Sequence, residues 1–146
     1  MKVLKFGGTS VADSKCINKV VAILNNNDDN LLIIVSAFGG VTNLLQECIN
    51  LKGKSTEGIL KEIETRHLEV IDNLSSLDGQ SSLKSFLKEK LNELEDILDA
   101  ISTIDEVTQK IISKVLTLGE ILSSSIIYEI LKPVSYTHLR AHETHE

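Results

Sequence analysis

The chain has 146 residues, 42% hydrophobic and 25% charged, the profile of a single soluble globular domain long enough to bury a core. Aromatic residues make up 3% and tryptophan is absent, so Leu, Ile and Val must fill that core. The net charge of −6 comes without a basic stripe or interleaved aromatics. This argues against a nucleic-acid partner but not against a nucleotide, whose phosphates need only a local set of N–H groups and one or two cations.

No apolar stretch reaches about 18 residues, so no membrane span is read. Met1-Lys2 leads at once into a short apolar run ending at two glycines, too short for a secretory signal, and a cytoplasmic location is expected. Cys16 and Cys48 have no metal or redox spacing. Cys16 lies in a helical pattern and is expected as a small core residue, with no disulfide.

In chain order, Val3 to Phe6 reads as a short strand broken by Gly7-Gly8. Thr9, Ser10 and Asp13 are cap-type residues, and Val11 to Leu24 carries Ile17, Val20, Val21 and Leu24 at helical spacing. After a polar turn at residues 25–30, Leu31 to Val35 is a continuous apolar run, as in a strand buried on both faces of a parallel sheet. Gly39-Gly40 ends it, and Val41 to Leu51 reads as helix. This β-α-β-α order predicts a parallel α/β sheet, with both glycine pairs at the carboxyl ends of the strands, where such sheets bind ligands.

The middle is helical. Thr56 to Leu74 places Leu60, Ile63, His67, Val70, Ile71 and Leu74 on one stripe. Ser82 to Ile104 does the same with Leu83, Phe86, Leu87, Leu91, Leu94, Ile97, Leu98 and Ile101. Thr103 and Glu106 have the spacing of a capping box for a third helix through Leu116, and a fourth helical stretch is expected from about Glu120 to Leu131. The tail is aperiodic, and Val134 to Thr144 resembles the translation of a sequencing-library adapter. Residues 133–146 are therefore expected to be a non-native, disordered tail. His138 and His142 stand four apart, but no Glu follows His138 as a zinc-binding H-E-x-x-H requires.

Three constellations carry chemistry. In Lys5-Phe6-Gly7-Gly8-Thr9-Ser10 a strand end delivers a lysine, and two residues without side chains let backbone N–H groups approach an anion. The following helix is expected to point its positive end at the same spot, the kind of cradle that phosphoryl transfer needs. It is not a Walker A loop, because the lysine precedes the glycines. By itself the segment is also compatible with a plain tight turn and a solvated lysine. Ser36-Ala37-Phe38-Gly39-Gly40-Val41-Thr42-Asn43 again sets glycines after a strand, beside hydroxyls suited to a small polar substrate; Thr42 or Asn43 is equally suited to capping the next helix. Gly119-Glu120, at an expected helix start, either complements the helix dipole or binds a substrate ammonium group.

Together, K-F-G-G-T-S-V through Val11, V-S-A-x-G-G-V-T-N-L-L through Leu45, and G-E-x-L-S from Gly119 to Ser123 resemble the aspartate kinases of the amino-acid kinase superfamily. The resemblance covers residues 1 to about 132, with a variable helical segment, about 56–117, between the second and third motifs. It implies a three-layer α/β/α sandwich with a mainly parallel sheet, truncated here, residues 1–132 being the N-terminal part of the catalytic domain. It implies ATP-dependent phosphorylation of the side-chain carboxylate of L-aspartate, with Mg2+, as the first step towards lysine, threonine and methionine. By the same resemblance Lys5 contacts the transferring phosphoryl group, and Gly7, Gly8 and Ser10 line the phosphate path. Ser36 and Thr42 sit at the aspartate site, Gly39 and Gly40 shape the loop between the ligands, and Glu120 takes the substrate's amino group. In the same resemblance Phe38 falls at a position that varies and is usually smaller, and nothing follows from it.

The family's second catalytic cluster, with its arginine and aspartate, has no counterpart in the chain, so these residues alone are expected to be inactive. The parent is expected to be a homo-oligomer, with or without a fused homoserine dehydrogenase. Two other readings are another amino-acid kinase, acting on glutamate, acetylglutamate or uridylate, and a non-catalytic helical interaction module built on residues 56–116.

Overall fold

The two apolar runs that precede the glycine pairs become neighbouring strands. The computed structural model describes residues 2–26 and 30–131. In it β1 (Lys2–Phe6) and β2 (Leu31–Val35) pair in parallel, from Lys2 opposite Leu31 to Phe6 opposite Val35. Between and after them come α1 (Ser14–Asn25), α2 (Val41–Asn50), α3 (Glu57–Leu74), α4 (Leu77–Ile104) and α5 (Gln109–Leu131). The adapter-like tail, with His138 and His142, lies outside the described residues.

Period-two alternation gives the strand pair one covered and one open face. Leu4, Phe6, Ile33 and Val35 turn toward the helical core, whereas Val3 and Ile34 are 57% and 45% exposed. The expectation that β2 is buried on both faces is thus corrected. Among the described residues the sheet has two strands, and only one of its faces is packed.

The helices differ from expectation at their ends, and each difference has a local cause. α1 begins at Ser14, not Val11, because Asp13 is the N-cap and accepts a 2.9 Å hydrogen bond from the Cys16 amide. Serine 76 caps α4 through the Gly79 amide, so that helix starts at Leu77, upstream of the expected Ser82. The proposed capping box at Thr103 does not form: the Thr103 hydroxyl donates to the Asp99 carbonyl inside α4, and the helix ends at Asp105 in the left-handed region, φ 60°. The last two expected helices are one, α5, whose first turn is held by the Thr108 hydroxyl accepting from the Ile111 amide.

The apolar stripes meet in one core. Ile63, Val70 and Ile71 of α3 and Leu83, Leu87, Leu94, Leu98 and Ile101 of α4 are all buried, with Cys48 of α2 beside them. An interaction module would need those stripes on the surface. Burial pushes the Cys48 thiol up to about 11, which leaves it an inert core group. Cys16 is half-buried rather than in the core, and both cysteines are free.

Helix α5 forms the centre of the packing, with Val115, Leu118, Ile121, Leu122, Ile126, Ile127 and Leu131 buried. It is long and apolar enough to cross a membrane by length and composition, which corrects the statement that no such stretch occurs. Its apolarity has a packing cause here, since it contacts α2, α3, α4 and β2. Gly119 sits in its middle, where a methyl group would stand 2.9 Å from the Ala37 Cβ and 3.1 Å from the Leu45 Cδ1. Overpacking of this kind costs about 1–3 kcal/mol. Gly119→Val is therefore expected to lower the unfolding free energy by about 2–3 kcal/mol in urea titration; an unchanged midpoint would show that α5 and the loop after β2 separate freely.

Candidate functional site

Both glycine turns leave the carboxyl ends of adjacent parallel strands, so they lie side by side. Their contact is direct. The Ser36 amide donates to the Phe6 carbonyl (3.0 Å), and the Gly39 amide donates to the Val11 carbonyl (3.1 Å). Gly39 must lack a side chain, because a Cβ there would be 2.6 Å from the Ala12 Cα. The first turn is closed by the Ser10 amide donating to the Gly7 carbonyl (3.0 Å).

The helix that presents its amino end to the space between the turns is α2. Its N-cap is Gly40 at φ 80°, which supplies no side-chain hydrogen bond. Neither Thr42 nor Asn43 is the cap; both line the pocket. The helix after the first turn behaves differently. Its opening amides are served by Asp13, whose hydrogen bond from Cys16 holds its carboxyl below the usual carboxylate range. The expected positive end of α1 is therefore already met by an internal anion, and the uncapped end belongs to α2.

These elements enclose an open pocket of about 680 Å³, lined by Gly8, Thr9 and Ala12 from the first turn and by residues 36–40, Thr42 and Asn43 from the second. The remaining lining residue, Arg66, comes from α3 and has the only charged side chain among the described lining residues. Arg66 Nη1 donates to the Gly39 carbonyl, and its Nη2 is 3.0 Å from Glu62 Oε1. The next residue, His67, is wholly buried with its ring centroid 5.3 Å from that of Phe38. Its Nδ1 lies 2.6 Å from the Ile63 carbonyl, so the proton is assigned to Nδ1. Its Nε2 has no hydrogen-bond partner among the described residues. Burial, opposed by the Ile63 bond and assisted by the neighbouring Arg66 charge, pushes its pKa down to about 4.

Of the sequence-predicted site residues, Gly8, Ser36, Gly39, Gly40 and Thr42 line the pocket. Lys5 is exposed on β1 opposite Ile34, one residue before the carbonyl that receives Ser36; Gly7 and Ser10 complete the first turn. None of these three is a pocket-lining residue, and neither is Glu120. Glu120 is exposed in mid-helix, so its expected place at a helix start is corrected. The third motif reaches the second turn through two other residues. Gly119 packs on Ala37, and the Ser123 hydroxyl donates to the Ser36 carbonyl at 2.7 Å. Ser123 and Arg66 are the residues that spacing does not single out. Ser123 stands in the quoted G-E-x-L-S motif, whereas Arg66 is one charge among many on an amphipathic helix.

Comparison with known proteins places this geometry. The model of the amino acid kinase family matches residues 1–144. The bifunctional aspartokinase/homoserine dehydrogenase of Buchnera aphidicola is 29% identical over 144 residues, which is 93% of this chain and 18% of that protein. The aspartokinase of Chlamydia pneumoniae is 34% identical over 125 residues, 86% of this chain and 26% of that protein. The chain thus spans about a fifth to a quarter of these relatives' length. Aspartokinase III of E. coli, in a crystal structure with aspartate and ADP, superposes with a TM-score of 0.77 at 24% identity, over 90% of this chain and 29% of that one. That likeness shows the fold.

The buried His67 makes acid a selective stress. Its folded pKa of about 4 lies below the ordinary 6.5, so the unfolded chain binds the proton first. Its contribution is present above about pH 6.5 and is lost as pH falls towards 4, with a ceiling of about 3 kcal/mol. Urea titrations at pH 7 and pH 4.5 should show a smaller loss of stability on acidification for His67→Leu than for the unmutated protein. Equal losses would show that the imidazole does not resist protonation.

Proposed function

The chain belongs to the amino acid kinase family, and on that premise we propose that the full-length protein carrying it phosphorylates the side-chain carboxylate of L-aspartate with ATP. The observation that carries this reading is the pair of glycine turns bonded to each other at the ends of β1 and β2, with the uncapped amino end of α2 between them. The aspartokinase relatives favour aspartate over the family's other acceptors.

In this reading a side-chain carboxylate oxygen attacks the γ-phosphorus, the bond from that phosphorus to the bridging oxygen of ADP breaks, and 4-phospho-L-aspartate and ADP leave. No proton need move between the two substrates. The protein's task is positioning and charge stabilisation. Lys5 neutralises charge on the moving phosphoryl group, and the turn Gly7 to Ser10 lets backbone N–H groups approach it. The Ser36 and Thr42 hydroxyls and the Thr42 and Asn43 amides of α2 hold the acceptor, and Glu120 takes its ammonium group. The described lining residues include no carboxylate, and no group of three metal-binding side chains occurs among the described residues. Magnesium prefers carboxylates together with substrate phosphates, so the residues in hand do not build its site and no step is assigned to it.

Trapping the acyl phosphate with hydroxylamine should give an aspartyl hydroxamate that depends on both ATP and L-aspartate. Product formed equally from glutamate, acetylglutamate or a nucleoside monophosphate would move the protein to another branch of the family. In the same assay Lys5→Ala is expected to lower kcat by about 10²- to 10³-fold, the effect of removing one transition-state donor. An unchanged kcat would take Lys5 out of the chemistry.

A further inference from the structure

Two consecutive residues of α3 grip the loop after β2 from opposite sides. Arg66 reaches it at the pocket, donating to the Gly39 carbonyl, and its guanidinium lies so close over Gly40 that a Cβ on that glycine would collide with Nη1. His67 reaches it from the core, with its ring tilted 40° against that of Phe38. Both are held from behind on their own helix, Arg66 by Glu62 and His67 by the Ile63 carbonyl, each one turn back. One turn further on, Glu69 accepts a 2.8 Å hydrogen bond from the Ser14 hydroxyl at the start of α1. Helix α3 therefore touches the loop after β2 and the helix that follows the first glycine turn.

We propose that α3 is the positioning element of this pocket and that Arg66 and His67 set the loop Phe38–Gly40, and through it the acceptor subsite at Ser36 and Thr42. The consequence follows from chain geometry. Gly40 is both the residue under the guanidinium and the N-cap of α2, so its backbone fixes where the first turn of α2, with Thr42, begins. A loop pinned at Gly39 by an arginine and at Phe38 by a buried ring presents one arrangement to the acceptor. Without Arg66 the Gly39 carbonyl loses a charge-assisted hydrogen bond, and the loop gains freedom that acceptor binding must then remove. Phe38 gives His67 a ring to pack on, with centroids 5.3 Å apart.

The inference rests on the proposed aspartate phosphorylation, and the test separates the two. Steady-state kinetics of the full-length protein are measured for Arg66→Met and Arg66→Lys, varying L-aspartate and ATP in turn. Arg66→Met is expected to raise KM for aspartate about tenfold or more, the usual effect of losing a hydrogen bond from a charged group, with KM for ATP held within about twofold. Arg66→Lys keeps one donor but not the fork and should fall between. A purely structural role would instead show a lower melting temperature and loss of active protein, with both KM values unmoved or moved together. If Arg66→Met does not fold, Arg66→Lys decides the matter, and an unaltered KM for aspartate in it overturns the proposal. If the unmutated protein makes no aspartyl phosphate, the functional reading falls and takes this inference with it. Activity with an unmoved aspartate KM removes the inference alone.

Discussion

Everything at the site depends on how closely two turns approach. Gly39 donates to the Val11 carbonyl at 3.1 Å, and at that distance no side chain fits between its Cα and Ala12. The parallel pairing of β1 with β2 brings the turns to the same sheet edge, and the Ser36–Phe6 hydrogen bond extends the ladder one step past the strands. From there the chain must diverge into two helices while the turns remain in contact. That geometry leaves the space lined by Gly8, Thr9, Thr42 and Asn43. A larger residue at position 39 would push the turns apart before it altered any side chain in the pocket.

The back of the second turn is held by α5, which explains why a motif some eighty residues downstream belongs with it. Gly119 allows the helix to lie against Ala37, and Ser123, one turn further along, satisfies the Ser36 carbonyl. Both residues are buried in a helix whose other buried residues, Ser125 apart, are apolar. The 2.7 Å bond from Ser123 thus meets a backbone group that would otherwise be costly to leave unpaired. The arrangement holds the Ser36 backbone without using the Ser36 hydroxyl, and Ser36 is one of the pocket-lining residues.

The strands, the two glycine turns and the stripes of α3 and α4 are legible in the sequence, because period and punctuation encode them. Leu31 to Val35 reads as a strand and is one, and Ile63, Leu87, Leu94 and Leu98 read as core and are buried. Helix ends are harder, because capping is decided by which of several suitable side chains wins. Asp13 prevails over Thr9 and Ser10, Thr108 holds the start of α5, and Thr103 bonds within its own helix. Glu120 is misplaced for a related reason. A glycine before a glutamate suggests a helix start, but here Gly119 answers a packing demand from Ala37 and Leu45 that no local pattern reveals. Arg66 is illegible for the same reason in stronger form, since its partner Gly39 is twenty-seven residues away.

Charge decides which part of the pocket receives an anion. The guanidinium of Arg66 already serves the Gly39 carbonyl and Glu62, two of its five N–H groups, and its charge is partly offset by that carboxylate. The amino end of α1 is offset by Asp13. At the start of α2 the Val41 amide donates to the Phe38 carbonyl (3.0 Å), and the glycine cap leaves the next amides, of Thr42 and Asn43, without a side-chain acceptor. Helix amino ends attract negative charge through those amides and the aligned peptide dipoles, an effect that fades beyond the first turn. An anion entering between the turns therefore meets its strongest fixed attraction at Thr42 and Asn43 rather than at Ser14. The start of α2 is thus the rigid positive end at the pocket, whereas Lys5, exposed on β1, is not among the described lining residues. The rigid end sits where it does because Gly40, beneath Arg66, can turn the chain through a positive φ.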